Sequence, residues 1–523
     1  MIQKFFNRSI WGIVIILAIG FFLRLWQFPN PPPGLYLDEA SSGYDAFALL
    51  QTGMDRWGIR YPVYFIHWGS GQNALYTYLS MPLVAILGLS RFSIRLLNAL
   101  FGILTLPLLY ATIKPTLGKS AAMMATLLLA LMPWHAMFSR WALESQLLPF
   151  FLLLGTFTVQ RALAREKQNV WHWFALVPWA ISLYAYAIAY LLVPLLLGLI
   201  IIFYRETILR NWKIWLVNLI ILGLFAAPLV LFFIKNNFVC ADLPFESLLP
   251  FGIPLMPYSR LAQVTSPVLG RLEKNFWFAI NGFQDGNITQ ALPDLSPTFV
   301  VLVPLALVGT FYAMRRYRES KQINLFALWF IASALLLLPW DLSVARVNSL
   351  FIPMLVVGVA GLGELARRLQ NQARAILFGG VALLIALQAT VFIGAYFGEY
   401  SSRPDSQLAY FQGFDRAILR GVAIAAPTEP ILVTDAIQWP YLLVLFYTQY
   451  APADFQNQVN ARTDLGEITV LNFGRFNFGA DNLSDPSAPF TFVLAKWDDD
   501  PCAQPALAFE TRLWKVGTCN HAP

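Results

Sequence analysis

Residues 74–89 read ALYTYLSMPLVAILGL, and residues 92–113 read FSIRLLNALFGILTLPLLYATI. Whether the first of these runs crosses a bilayer decides the side on which every later segment lies. A transmembrane helix needs roughly 20 mostly apolar residues. The first run is the shorter, and Pro82 interrupts it. The loops after Ile113 arbitrate. Lys114 and Lys119, then Arg161, Arg165 and Lys167, Arg205, Arg210 and Lys213, Arg315, Arg316, Arg318 and Lys321, and Arg367, Arg368 and Arg374 recur in every second loop. The loops between hold little beyond Arg140 and Arg346, and the N-terminus carries Lys4 and Arg8. The positive-inside rule puts the N-terminus and the basic loops in the cytoplasm. Both placements hold together only if one of the two runs stays outside. Ala74–Leu89 is therefore read as a helix lying in or near the outer interface.

The rest of the composition agrees with a membrane protein. Of 523 residues, 58% are hydrophobic and 12% charged, too apolar for a soluble chain of this length. The net charge of +7 comes without a basic stripe interleaved with aromatics, so no nucleic-acid partner is expected. Three cysteines, Cys240, Cys502 and Cys519, show no Cys-x-x-Cys spacing, which argues against a zinc or redox motif. Met1–Phe28 is basic and then apolar without a small-residue cleavage site. It reads as a retained first span rather than a cleaved signal peptide.

Further spans are predicted at Phe92–Ile113, Ser120–Phe138, Leu147–Ala164, Trp171–Ala187, Ala189–Tyr204 and Ile214–Ile234. Four more follow at Pro297–Ala313, Asn324–Pro339, Val347–Ala366 and Ala375–Tyr396. With Ser9–Phe28 they make about eleven, which puts the C-terminus outside. Two outer loops result, 29–91 and 235–296, the second made irregular by Pro244, Pro250, Pro254, Pro257 and Pro267. From Gly398 the pattern changes to short strand-like runs, Pro430–Thr434, Glu467–Leu471 and Phe490–Leu494, with a helical stretch at Trp439–Gln449. The expected architecture is an α-helical polytopic membrane protein of the plasma (inner) membrane. A transmembrane domain occupies residues 1–396, and a small extracytoplasmic α/β domain occupies 397–523. Cys502 and Cys519 lie in that outer domain, where an oxidising exterior permits a disulfide.

The topology gathers the polar residues of interest on the outer side. Asp38 and Glu39 follow the first span, and adjacent carboxylates at a membrane boundary are costly unless used. A helix cap is the plainer reading, with Asp38 capping Glu39–Leu50. Arg140 and Glu144, Arg260 and Gln263, and Arg346 and Asn348 lie in later outer loops. Arginine binds phosphate through a planar fork, and a carboxylate accepts a proton from an attacking hydroxyl. Such a set suits a lipid-phosphate substrate. The plainer readings stand beside it: Arg140 and Arg346 as interfacial anchors, Glu144 as a cap. His67, a lone histidine near Tyr64, Phe65 and Trp68, is read as packing or substrate lining. Arg95 is expected to snorkel, and Asp45 and Asp55 to be solvated. Two or three carboxylates without a histidine cluster can hold magnesium or manganese loosely; no metal is assigned.

The order of motifs carries a resemblance. Leu25-Trp26, Pro31-Pro32-Pro33-Gly34-Leu35-Tyr36-Leu37-Asp38-Glu39-Ala40, Arg95-Leu96-Leu97-Asn98-Ala99-Leu100-Phe101-Gly102 and Ser139-Arg140-Trp141-Ala142-Leu143-Glu144 follow in sequence. Together they resemble GT-C membrane glycosyltransferases of the protein O-mannosyltransferase and aminoarabinose-transferase group (glycosyltransferase family 39-like). The likeness covers about Ile10–Phe157 by motif and the remaining spans by architecture. It implies inverting transfer from a polyprenyl-phosphate sugar to a lipid, protein or polysaccharide acceptor on the extracytoplasmic face. Within it Asp38 matches the acidic residue of the first outer loop, with Glu39 supporting. Glu144 matches a second acidic position, and Arg346 a late arginine that meets the lipid phosphate. Arg140, His67, Gln72 and Arg260 complete the expected substrate-binding set. One departure is plain: a Lys-Pro pair near the end of the first loop in aminoarabinose transferases is replaced here by Ser70-Gly71-Gln72-Asn73. Two other classes stay open, a lipid or glycolipid transporter or flippase and a non-catalytic envelope-assembly scaffold. A transporter is expected to show paired halves or mid-membrane charges, and few such charges are present.

Overall fold

The computed structural model describes residues 10–68, 71–164, 170–257, 268–315, 321–337, 342–464, 466–483 and 485–519. Five helices are long and apolar enough to cross a membrane: Arg91–Leu131, Glu144–Leu163, Trp212–Val239, Val344–Arg368 and Asn371–Ser402. Shorter apolar helices at Ile10–Leu25, Ala189–Phe203 and Leu302–Arg315 accompany them. The chain is a multi-pass membrane protein. Leu75–Leu87 forms a helix of 13 residues, too short to cross a bilayer at 1.5 Å per residue.

Some predicted spans differ in form. Phe92–Ile113 and Ser120–Phe138 become one helical run, Arg91–Leu131, turned at Gly118 (φ 82°). That angle lies in the left-handed region that glycine enters freely. Pro133 then opens a separate short helix, Pro133–Phe138. Trp171–Ala187 is not a continuous helix but two short ones, Val170–Trp173 and Val177–Ser182. The Asn218 side chain breaks the ladder between them. Its Oδ1 accepts from the Leu176 amide at 3.1 Å, and its Nδ2 donates to the His172 carbonyl. The loop 235–296 holds an unforeseen helix, Val268–Ile280.

The chain folds into two compact units, each assembled from separated segments. The first takes the described residues through Pro31, Asn98–Ala227 and Val264–Tyr400. It is helical, and its tightest packing joins Leu302–Arg315 to Val344–Arg368. A Cβ on Gly309 would collide with the Val357 carbonyl, and one on Gly361 with the Leu305 carbonyl. Small residues let membrane helices approach to backbone contact in this way.

The second unit takes Pro32–Leu97, Pro228–Gln263 and Ser401–Pro523. Outer segments expected to belong with the spans thus pack with the C-terminal segment. The Leu35 amide donates to the Tyr410 carbonyl at 2.7 Å, Tyr44 Oη to the Tyr450 carbonyl at 2.8 Å, and Gln456 Nε2 to the Asp55 carbonyl at 2.8 Å. Gly34 (φ 61°) sits so close to Tyr410 that a Cβ would strike its carbonyl. In the loop, β1 (Tyr64–Phe65) pairs antiparallel with β2 (Gln72–Asn73). Farther on, β3 (Ile431–Val433), β4 (Asn460–Asp464), β5 (Glu467–Phe473), β6 (Phe476–Phe478), β7 (Phe490–Ala495), β8 (Ala506–Glu510) and β9 (Trp514–Cys519) form one sheet. Its order is β4-β5-β6-β3-β7-β9-β8. β3 runs parallel to both β6 and β7. β3 and β7 are buried at every position, which explains their almost wholly apolar sequences. Cys502 and Cys519 are joined in a disulfide beside Leu432, Phe490 and Phe492.

A Gly361→Val substitution is predicted to destabilise the first unit by about 1–3 kcal/mol through overpacking. The melting temperature of purified protein in detergent should fall, whereas Gly363→Val, facing open space, should change it little.

Candidate functional site

The helix Leu37–Thr52 presents the paired carboxylates in its first turn. Glu39, not Asp38, does the capping: its Oε2 accepts the Tyr36 amide at 2.9 Å. Glu39 is also fully buried, and Arg95 holds it with a two-pronged ion pair, Nε to Oε1 at 2.7 Å and Nη2 to Oε2 at 2.6 Å. The same guanidinium donates to the carbonyls of Pro32 (2.8 Å) and Gly34 (3.0 Å). Glu39 is therefore a strut, which corrects its expected role as a supporting acid. Arg95 does not snorkel, because its partner lies inside.

Asp38, one residue earlier, points elsewhere. Its Oδ1 lies 2.9 Å from His67 Nε2. The Asp38 side chain is 20% exposed and that of His67 only 6%. His67 stands just after β1, and its carbonyl accepts the Gly71 amide at 2.9 Å, so the β1–β2 pairing helps hold it. A buried imidazole against a partly exposed carboxylate is an arrangement able to pass a proton. Sequence reading left His67 as packing or substrate lining because 29 residues separate the partners and no local pattern marks the contact.

Asp45 and Asp55, expected to be solvated, are both buried, with Arg56 between them. Asp45 Oδ1 accepts the Arg56 amide at 3.1 Å, and its Oδ2 lies 3.4 Å from Arg56 Nη2. That nitrogen also donates to Ser41 Oγ at 2.6 Å and to the Ile66 carbonyl at 3.1 Å. Asp55 Oδ1 closes a turn on the amides of Trp57 (2.9 Å) and Ile59 (2.8 Å). Burial raises both carboxyls. Asp55 rises from 3.8 to about 7, helped by the Asp45 charge, and burial outweighs Arg56 at Asp45.

In the first unit Arg140 is fully buried. It donates to the carbonyls of Pro31 (3.1 Å), Leu23 (3.3 Å), Arg24 (2.9 Å) and Asn30 (2.9 Å). That corrects its expected role: its fork is occupied by the turn after the first span and is not presented to a phosphate. Asn98 Nδ2 fixes the next loop by donating to the carbonyls of Trp141 (2.7 Å) and Leu143 (2.8 Å). Gly102 packs so tightly on Ser139 that a Cβ would collide. Glu144 follows, buried, in the short helix Glu144–Gln146. Arg346 is exposed in the first turn of Val344–Arg368. The amides of Val344 and Ala345 there are taken by Asp285 (3.1 Å) and Gln290 (2.8 Å), and Asn348 donates to the Ser145 carbonyl at 2.8 Å.

Gln72 is buried on β2, its Oε1 without a hydrogen-bond partner among the described residues. Arg260, Gln263 and Ser70 lie outside the described residues. Among the described residues no group of three or more His, Cys, Asp or Glu could hold a metal, so magnesium or manganese has no built ligand set there.

Two outcomes follow for the second unit. Arg95→Ala leaves a buried carboxylate unpaired and should cost about 3–5 kcal/mol, read as a lowered melting temperature. The Asp55 carboxyl has a folded value near 7 against an ordinary 3.8, so the folded protein binds the proton more tightly. Its stabilising effect is full below about 3.8 and is lost as pH rises through about 7. Melting temperature should therefore fall from pH 5 to pH 8, and Asp55→Asn should flatten that slope.

Residues 74–231 match the family described as dolichyl-phosphate-mannose-protein mannosyltransferase. Over 82 residues the chain is 38% identical to a Bacillus subtilis (strain 168) protein named as a mannosyltransferase, YkcB. That stretch is 16% of this chain and 12% of the relative, so the match spans a small part of the curated protein. The fold is similar to the crystal structure of ArnT from Cupriavidus metallidurans in the apo state, with TM-score 0.58, 13% identity and 97% of both chains covered. The same protein bound to undecaprenyl phosphate gives TM-score 0.59, again with 13% identity and 97% of each chain. Residues 74–231 are thus similar to the dolichyl-phosphate-mannose-protein mannosyltransferase family, and the fold is similar to that of ArnT.

Proposed function

We propose that this protein transfers a sugar from a polyprenyl-phosphate donor to a hydroxyl-bearing acceptor on the extracytoplasmic face of the plasma (inner) membrane. The observation that carries the reading is the Asp38–His67 pair, partly open, on a helix start fixed by Glu39 and Arg95. The family match over residues 74–231 and the fold shared with a protein crystallised with undecaprenyl phosphate support it. The loop charges support a cytoplasmic N-terminus and an outer C-terminal domain.

In this reading Asp38 is the base. His67 engages Oδ1, which leaves Oδ2 for the acceptor hydroxyl. The acceptor oxygen bonds to the anomeric carbon as the bond from that carbon to the phosphate oxygen breaks. The bonding pair leaves with the polyprenyl phosphate, the proton passes to Asp38, and the anomeric configuration inverts. A phosphodiester leaving group needs no strong general acid, unlike a glycosidase with two carboxylates flanking the bond. Arg346, exposed at a helix start, is assigned to the donor phosphate, whose charge a guanidinium matches. Glu144 is assigned as the second carboxylate. Glu39 and Arg140 act only by holding backbone in place.

Turnover of a polyprenyl-phosphate sugar by the purified protein is the test, and it separates this reading from a flippase or a scaffold. Asp38→Asn should lower turnover by about 10²-fold or more with donor affinity retained. Arg346→Ala should raise the donor KM. Full turnover in Asp38→Asn would refute the assignment of the base.

A further inference from the structure

His67 is held by more than Asp38. Its ring lies against Trp68, with centroids 4.6 Å apart and planes at 34°. Trp68 stacks in turn on Trp439, at 4.4 Å and 7°. Three rings thus form a column that ends at the Asp38 carboxylate. Trp439 belongs to the C-terminal α/β domain, in the connection from β3 to the helix Pro440–Thr448. β3 is flanked on both sides by parallel strands. Chain leaving its carboxyl end therefore stands at the edge where open α/β sheets place functional loops.

The column is maintained against backbone preference. Trp68 (φ 52°) and Trp439 (φ 49°) both adopt the left-handed conformation, which bulky residues rarely enter. Such strain persists where the surroundings impose it and clusters at functional sites. Both ends of this connection are fixed. Pro440 occupies the first turn of the following helix, and the Thr434 amide is tied to the Val493 carbonyl at 2.9 Å. Trp439 is half-buried rather than buried in the domain core, so packing of its own domain does not account for it.

We propose that Trp439 is a positioning residue for the Asp38–His67 pair, acting through Trp68, so that the C-terminal α/β domain completes the catalytic site. This rests on the function proposed above. Stacking fixes the imidazole plane and shields one side of it from water. A fixed imidazole holds the Asp38 carboxylate in one orientation, and small misplacement of a catalytic group lowers kcat far more than it alters binding.

The test compares full-length Trp439→Ala and Trp439→Phe with the wild type, each purified in detergent. With the polyprenyl-phosphate sugar that the wild type turns over, Trp439→Ala should lower kcat roughly ten- to a hundredfold. The donor KM should stay within about twofold, and Phe should restore most of kcat by renewing the stack. The chain has four histidines, so His67 can be assigned by NMR with a His67→Gln control. In Trp439→Ala its ring signals should shift as the stack on Trp68 is lost. Trp439→Phe should behave like the wild type, and a Phe variant that folds keeps the test valid if the Ala variant does not. Unchanged His67 signals and kcat in Trp439→Ala would overturn the proposal, as would a raised donor KM at constant kcat, the mark of a substrate contact. If the wild type turns over no polyprenyl-phosphate sugar, the proposed function fails, and the NMR comparison still decides the role of Trp439.

Discussion

The ion pair between Glu39 and Arg95 is the constraint on which the second unit depends. Both side chains are fully buried, so each charge is affordable only while the other is present. The guanidinium gives two more hydrogens to the carbonyls of Pro32 and Gly34. Glu39 uses an oxygen on the Tyr36 amide. One pair therefore fixes the proline-rich entry, the helix start and the beginning of Arg91–Leu131 together. Asp38 inherits its direction from this arrangement without taking part in it.

Glu39 and Asp38 illustrate how neighbouring carboxylates part company. Successive helical residues point about 100° apart. One faces inward to an arginine and the other outward to a histidine and to water. The pairing also explains why the motif Arg95–Gly102 has its spacing. Arg95 meets Glu39, Asn98 holds two loop carbonyls, and Gly102 leaves room for Ser139. Each of these is a backbone-fixing task, and the same holds for Arg140.

The C-terminal domain changes in meaning once its packing is seen. It shares a unit with the segments 32–97 and 228–263. Tyr410, Tyr450 and Gln456 bond directly to the loop that carries Asp38 and His67. It braces the candidate site rather than standing apart from it. Trp439 stacks on Trp68, which lies against the His67 ring beside Asp38.

Much of this was legible in the sequence. Apolar length marked the membrane helices. Loop charge and Pro82 marked Leu75–Leu87 as too short to cross, and strand-like runs marked β3, β5 and β7. Those signals are local, and local chemistry enforces them. What failed was long-range. Asn218 breaks the helix expected at 171–187, Arg56 pairs with a buried Asp45 while Asp55 turns in to the Trp57 and Ile59 amides, and Arg95 turns inward to Glu39. A residue's charge is written in the chain, but its partner is not. The sequence by itself determined which residues are carboxylates near a membrane boundary. Only the tertiary structure decided that Glu39 is neutralised by Arg95 while Asp38 meets His67, because those contacts join segments 56 and 29 residues apart.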